Sequence, residues 1–227
     1  MDFLSTALPL GWAIATAAVA GVLVLRAALA APWQLLADGF RLHGWLGASL
    51  AVALAWILSA KPLPGLPLHL LATPLVALMF GRDLALVAAA PAVLAAWAWR
   101  GSEFAGLGAT WLLAAWLPVT VADGLRRLAD RRLPRNPFTF IFLAGFFAPG
   151  IAFAATAIAA TLAHGAAGTL PWHRATGEFL PYALLLSWGE AFLTGLLTAI
   201  FVVYEPRWMA TFDDARYLRP PAPREPR

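Results

Sequence analysis

The stretch from Phe179 to Tyr204 reads FLPYALLLSWGEAFLTGLLTAIFVVY, with Glu190 as its single charged residue. A helix needs about 20 mostly apolar residues to cross a bilayer, so this run is long enough to span one and carries an acid near its middle. Six further apolar runs lie upstream, bounded by charge, Pro or Gly: about Leu8–Leu29, Gly44–Ser59, Leu66–Phe80, Leu84–Trp99, Gly106–Val121 and Phe138–Leu162. The pattern predicts an all-α, polytopic helical membrane protein with seven transmembrane helices. The third to fifth runs are short for a bilayer about 30 Å thick, and six spans remain open if one run is re-entrant.

Composition agrees. The 227 residues are 61% hydrophobic and 12% charged, with no cysteine. A soluble domain carries about 25% charged residues. The missing cysteines exclude a disulfide scaffold, a zinc-thiolate site and a thiol nucleophile. The net charge of +4 does not point to nucleic acid, because the basic residues sit in short loops between apolar runs, where they set topology. The opening Met1-Asp2-Phe3 has no basic n-region, and the first run has the length of a full span, so it reads as a helix and not as a cleaved signal.

Orientation follows from those basic residues. With the N-terminus outside, the cytoplasmic side receives Arg26, Arg41, Arg82, the cluster from Arg126 to Arg135, Arg207 and the arginines of the tail. Only Lys61, Arg100 and Arg174 fall outside, leaving 13 of 16 within. The positive-inside rule therefore predicts an extracytoplasmic N-terminus and a cytoplasmic C-terminus in the cell (inner) membrane. Trp12, Trp56, Trp97, Trp99 and Trp172 fit an outer aromatic belt, and Trp33, Trp45 and Trp208 an inner one. Trp111, Trp116 and Trp188 are expected inside the bundle. Residues 1–206 read as one transmembrane domain, 207–218 as a short helix on the cytoplasmic face, and the Pro-rich 219–227 as a disordered tail. Pro74, Pro91, Pro118, Pro149 and Pro181 fall within runs, where each kinks a helix or breaks it beside a site.

An ionisable group in hydrocarbon costs a few kcal/mol on insertion scales, so Glu190 is the first functional candidate. Ser187 and Thr194 flank it by about one turn. It is either a cation- or proton-linked carboxylate and site organiser, or a hydrogen-bonded lock between helices. Of the four histidines, His69, His164 and His173 fall on the outer side. They offer nitrogen donors suited to divalent nickel, cobalt, zinc or copper, although their spacing forms no metal motif. His164 and His173 read as solvated loop residues. His69 stands in the apolar GLPLHLL of residues 65–71 and is either site-facing or interfacial. There is no GxxxxGK[ST], GxSxG, HExxH or paired-carboxylate motif, so no enzymatic activity is expected.

Three strings carry a resemblance. His69-Leu70-Leu71 followed by Phe80-Gly81 resembles the "GHLL…G" segment of the cobalt and nickel substrate-binding membrane components of energy-coupling-factor transporters (the CbiM/NikM family). Gly106-Leu107-Gly108-Ala109 is similar to that family's "aLGaN", with Thr110 at the Asn. Gly189-Glu190-Ala191-Phe192-Leu193-Thr194-Gly195 is similar to its "GEglIT". They occur in the family's order across roughly residues 60–205. The resemblance implies a permease component without its own energy source, working with a transmembrane coupling subunit and ATPase subunits. The basic Arg126–Arg135 loop would be either a contact for them or a topogenic, lipid-binding loop. The family captures its metal with the free N-terminus, a His at position two and the His of "GHLL". That implies His69, the Met1 amine and, where the family has His, Asp2 as ligands of cobalt or nickel, with Glu190 and Thr194 supporting the site. The competing reading is an accessory or structural subunit of a larger membrane complex, serving assembly or metal delivery.

Overall fold

The computed structural model describes residues 3–4, 8–63, 66–101, 104–134, 136–213 and 217. Among them are six helices long and apolar enough to cross a membrane: α1 (Leu10–Ala30), α2 (Gly39–Ile57), α4 (Arg82–Arg100), α5 (Phe104–Arg132), α6 (Pro137–Ala166) and α7 (Trp172–Tyr204). A seventh, α3 (Thr73–Phe80), is short. The seven-helix bundle expected from the sequence is present, but its third member is not a full-length span. Residues 66–80 instead run as strand, extended chain and then helix. Ala60–Leu63 (β1) and Leu66–Leu68 (β2) form an antiparallel hairpin, a small exception to an otherwise all-helical chain.

The reason lies in Pro62, Pro64, Pro67 and Pro74. Each removes a backbone donor and disfavours helix in the residue before it, so a helix cannot start until Pro74, which stands in the first turn of α3. Eight residues give a helix about 12 Å long at 1.5 Å per residue. The hairpin end of the bundle is marked by Arg100, whose guanidinium donates to Trp56 O (2.6 Å) and Ser59 Oγ (3.1 Å). At the other end, α3 finishes against Ala210 and Thr211, beyond the end of α7. Gly81 turns the chain into α4 with φ +89°, a conformation open to glycine at little cost.

Three long helices contain a wide π turn, at Leu112–Trp116, Phe140–Phe147 and Ala175–Phe179. Pro118, Pro149 and Pro181 each stand two residues beyond the end of one of these turns. A proline ring collides with the carbonyl four residues earlier, and those residues, Ala114, Gly145 and Gly177, all lie inside the wide turns. The π turn makes room for the ring without breaking the helix.

Alanine fills the centre. Ala85, Ala88, Ala89, Ala92 and Ala96 of α4 are buried, and small side chains let helices approach closely where lipid offers no hydrophobic drive. α1 is peripheral, turning Ile14, Val22, Leu25 and Leu29 outward. Two tryptophan expectations are corrected. Trp56 is buried, because its indole N–H reaches Leu71 O at 3.0 Å. Trp188 is exposed on α7, on the side away from the bundle, and Trp111 is buried as expected.

Beyond α7 the chain makes a single 3-10 turn, Pro206–Trp208, in place of a helix starting at Arg207. Met209 and Phe212 then bury, and a helical bond from Tyr217 N to Asp213 O follows. The rest of 214–218 and the tail 219–227 lie outside the described residues. The basic cluster is partly neutralised. Arg126 belongs to α5 and bonds Asp123 (2.7 Å) and Asp130 (3.1 Å), while Arg127 bonds Asp123 (2.7 Å).

Candidate functional site

The extended chain between β2 and α3 enters the bundle at His69 and is pinned from several sides. Its His69 ring is buried and tilted against Trp56, centroids 5.6 Å apart. His69 Nδ1 lies 3.0 Å from Leu70 O. With hydrogen on Nδ1, that N–H donates to the carbonyl and the ring's lone pair sits on Nε2.

Glu190 meets the same segment from α7. Its two carboxylate oxygens accept from Leu71 N and Ala72 N, each at 2.9 Å. These N–H groups precede the first turn of α3, where backbone donors have no partner of their own. Pro74 needs none, having no N–H. Thr73 closes the turn by donating its hydroxyl to Ala114 O at 2.9 Å. Pro118 has no N–H to offer that same carbonyl, so the π turn of α5 supplies an acceptor to the site. Ala72, held between these bonds, adopts φ +58°, which costs a non-glycine residue about 1–2 kcal/mol. Glu190 thus ties α7 to the chain entering α3. Thr194 is buried one turn further along α7.

A second cluster at the same end seats the N-terminal segment. Phe3 and Leu4 are buried. Phe3 N donates to Thr110 Oγ1 at 3.0 Å. A Cβ at Gly106 would collide with Phe3 O, and one at Gly108 would stand 2.5 Å from Ala17 N of α1. Gly106, Gly108 and Thr110 therefore form a platform of small side chains on α5 over which both Phe3 and α1 lie. Met1 and Asp2, the other ligands implied by the sequence, lie outside the described residues.

His164 is a correction. It is buried at the end of α6, with its ring stacked on Phe3 at 3.9 Å and 15° and set edge-on to Phe179 at 6.0 Å. Apolarity alone closes the run at Leu162, which leaves His164 in a loop. The buried positions 153, 157, 160, 161 and 164 of α6 follow helical spacing, and that periodicity was the signal available. Trp56, Phe3 and Thr110 were likewise legible only as composition or motif, not as parts of a site. His173, near the start of α7, is exposed as expected. Among the described residues no three His, Asp or Glu side chains gather into a metal cluster, so the titratable side chains described here do not by themselves make a ligand set.

No curated protein and no solved structure matches the chain. A family model does, described as the cobalt uptake substrate-specific transmembrane region and matching residues 5–208. The match covers most of the chain, and it takes in the strings whose physical work is now visible: the loop at His69, the platform at Gly106–Thr110 and the carboxylate at Glu190. This multi-pass membrane chain belongs to the CbiM family, the non-enzymatic, substrate-specific transmembrane components of cobalt uptake.

Proposed function

We propose that the protein captures a divalent cobalt or nickel ion as its transport substrate on the extracytoplasmic side. In this reading His69 is the principal ligand, with the Met1 amine and the Asp2 carboxylate beside it. One observation carries the proposal: the Glu190 carboxylate holds Leu71 N and Ala72 N together, which fixes the backbone that bears His69. A ligand whose orientation is set by surrounding hydrogen bonds binds metal better than a mobile one, and losing such support commonly costs about 10–100-fold in affinity. Glu190 and Thr194 then support the site without ligating. An amine, a carboxylate and an imidazole form a mixed N/O set suited to a divalent first-row ion.

The hairpin end faces outward in this reading, following the distribution of basic residues. The chain has no nucleotide-binding motif, so release into the cell is powered by partners, a transmembrane coupling subunit with ATPase subunits. Cobalt(II) and nickel(II) binding to the purified protein in detergent tests the ligand reading. His69→Ala is expected to abolish most binding, and an N-terminal extension to weaken it. Unchanged affinity in the His69 variant overturns the assignment. A wild-type chain that binds no metal favours the accessory-subunit reading.

A further inference from the structure

We propose that His164 is a positioning residue for metal capture: by clamping Phe3 it holds the first residues of the chain, which carry the Met1 amine and the Asp2 carboxylate, in place. This rests on the ligand reading given above and extends it to a residue that cannot be read from the family strings.

The geometry is that of a vice. The His164 ring lies face to face with Phe3 at 3.9 Å, and the edge of Phe179 closes the other side. All three rings are nearly inaccessible, at 1% for His164, 2% for Phe3 and 0% for Phe179. The imidazole cannot swing freely, because its Nδ1 is 2.8 Å from Thr169 Oγ1. Thr169 donates its single hydroxyl hydrogen to His164 O at 3.2 Å, so Nδ1 carries hydrogen and donates to Thr169 Oγ1. That same turn is tied by Thr169 N and Leu170 N, both donating to His164 O. Phe3 is therefore held by a ring on α6 and by Thr110 on α5, two elements that do not move independently once packed. The residue next to Phe3 is Asp2, so the clamp acts within one peptide unit of the proposed carboxylate ligand. Terminal residues fray unless tied down, and a ligand borne on a frayed end binds metal only in the fraction of time it is in place.

The chain's lack of cysteine makes the seat directly measurable. A single Leu4→Cys reporter in the full-length protein, purified in detergent without metal, is expected to react slowly with a maleimide. Adding His164→Ala should raise that rate about two- to tenfold, the range expected for losing an aromatic contact, whereas His164→Phe, which keeps a ring face toward Phe3, should leave it protected. Cobalt(II) affinity should follow the same order, falling about two- to tenfold in the alanine variant and little in the phenylalanine variant. Phe3→Ala removes the clamp from its other face and must reproduce the alanine result, which keeps the test decisive if His164→Ala does not fold.

Unaltered labelling in both variants overturns the inference. So does faster labelling with unchanged cobalt affinity, which would mean a seat that does not serve the metal. Equal loss of affinity in His164→Phe and His164→Ala, with Leu4→Cys still protected, overturns it too, and makes the imidazole itself a ligand. A wild-type chain that binds no cobalt(II) defeats the ligand reading and the metal half of this one. The labelling rates, which need no metal, then decide the clamp alone.

Discussion

The two ends of α3 are held by different means. At the hairpin end the restraint comes from side chains: the Glu190 carboxylate on Leu71 N and Ala72 N, the Trp56 indole on Leu71 O, and the Thr73 hydroxyl on Ala114 O. At the opposite end it comes from chain that follows α7. Ala210 N donates to Met79 O at 2.8 Å, and Thr211 donates to Leu78 O from its backbone at 3.3 Å and its hydroxyl at 2.6 Å. The first set lies inside the bundle and the second at its margin. An eight-residue helix is marginal on its own backbone bonds and depends on its surroundings, and the two sets of end contacts are not of equal weight. A buried donor left without its acceptor pays its full desolvation, while one near water finds a substitute.

That difference sets the order of effects. Glu190→Ala strands one buried and one partly buried N–H group, at about 1–3 kcal/mol for the buried one. It is expected to lower the melting temperature in detergent sharply and to lower cobalt(II) affinity along with it. Glu190→Gln keeps one acceptor oxygen and should fall between the two. A Glu190→Ala protein that melts like wild type would break the comparison, because the hairpin end would then be holding itself.

Thr211→Val, at the other end, removes the hydroxyl bond to Leu78 O but spares the backbone bonds. The expected loss is about 0.5–1.5 kcal/mol, seen as a small fall in melting temperature with metal binding unchanged. A loss as large as that of Glu190→Ala would show the tail to be an equal partner in holding α3.

The smallest effect is expected just before that tail. Glu205 bonds Arg207 at 2.6 Å, and this hydrogen bond holds its carboxyl below the ordinary value of 4.5. A carboxyl lowered in this way contributes stability above pH 4.5, and that contribution is lost as the pH falls through the lowered value. Arg207 is exposed and Glu205 half-buried, and ion pairs at a surface are weak. Glu205→Gln should therefore leave the melting temperature at pH 7 unchanged within error, and the acid limb of the stability profile should move little. A clear destabilisation at neutral pH would mean that the turn at Pro206–Trp208 depends on this pair.

The helical class and the number of helices were legible because each depends on local properties, the length and apolarity of a run. Glu190 stood out for the same reason, as one acid in a stretch otherwise without charge. Its partners did not. Leu71 and Ala72 lie 119 and 118 residues away in sequence, and they take part through backbone N–H groups, which every residue but proline possesses and no pattern distinguishes. The third run was misjudged in form because apolarity is shared by helix and buried extended chain; the prolines that decide between them were in view at residues 62, 64, 67 and 74. His164 was missed because its run was ended two residues too early.

The sequence by itself determined that this chain lives in a membrane, as a bundle of apolar helices, and that Glu190, His69 and the Gly106–Thr110 string merit attention. Only the tertiary structure decided what they do: Glu190 closes the start of α3, the glycines of α5 make a bed for the N-terminal segment, and the His164 ring holds Phe3 in it. Hydrophobicity is written residue by residue, so it can be read along the chain. Hydrogen bonds between distant backbone groups and stacking between rings depend on which surfaces meet, and that is settled only when the helices pack.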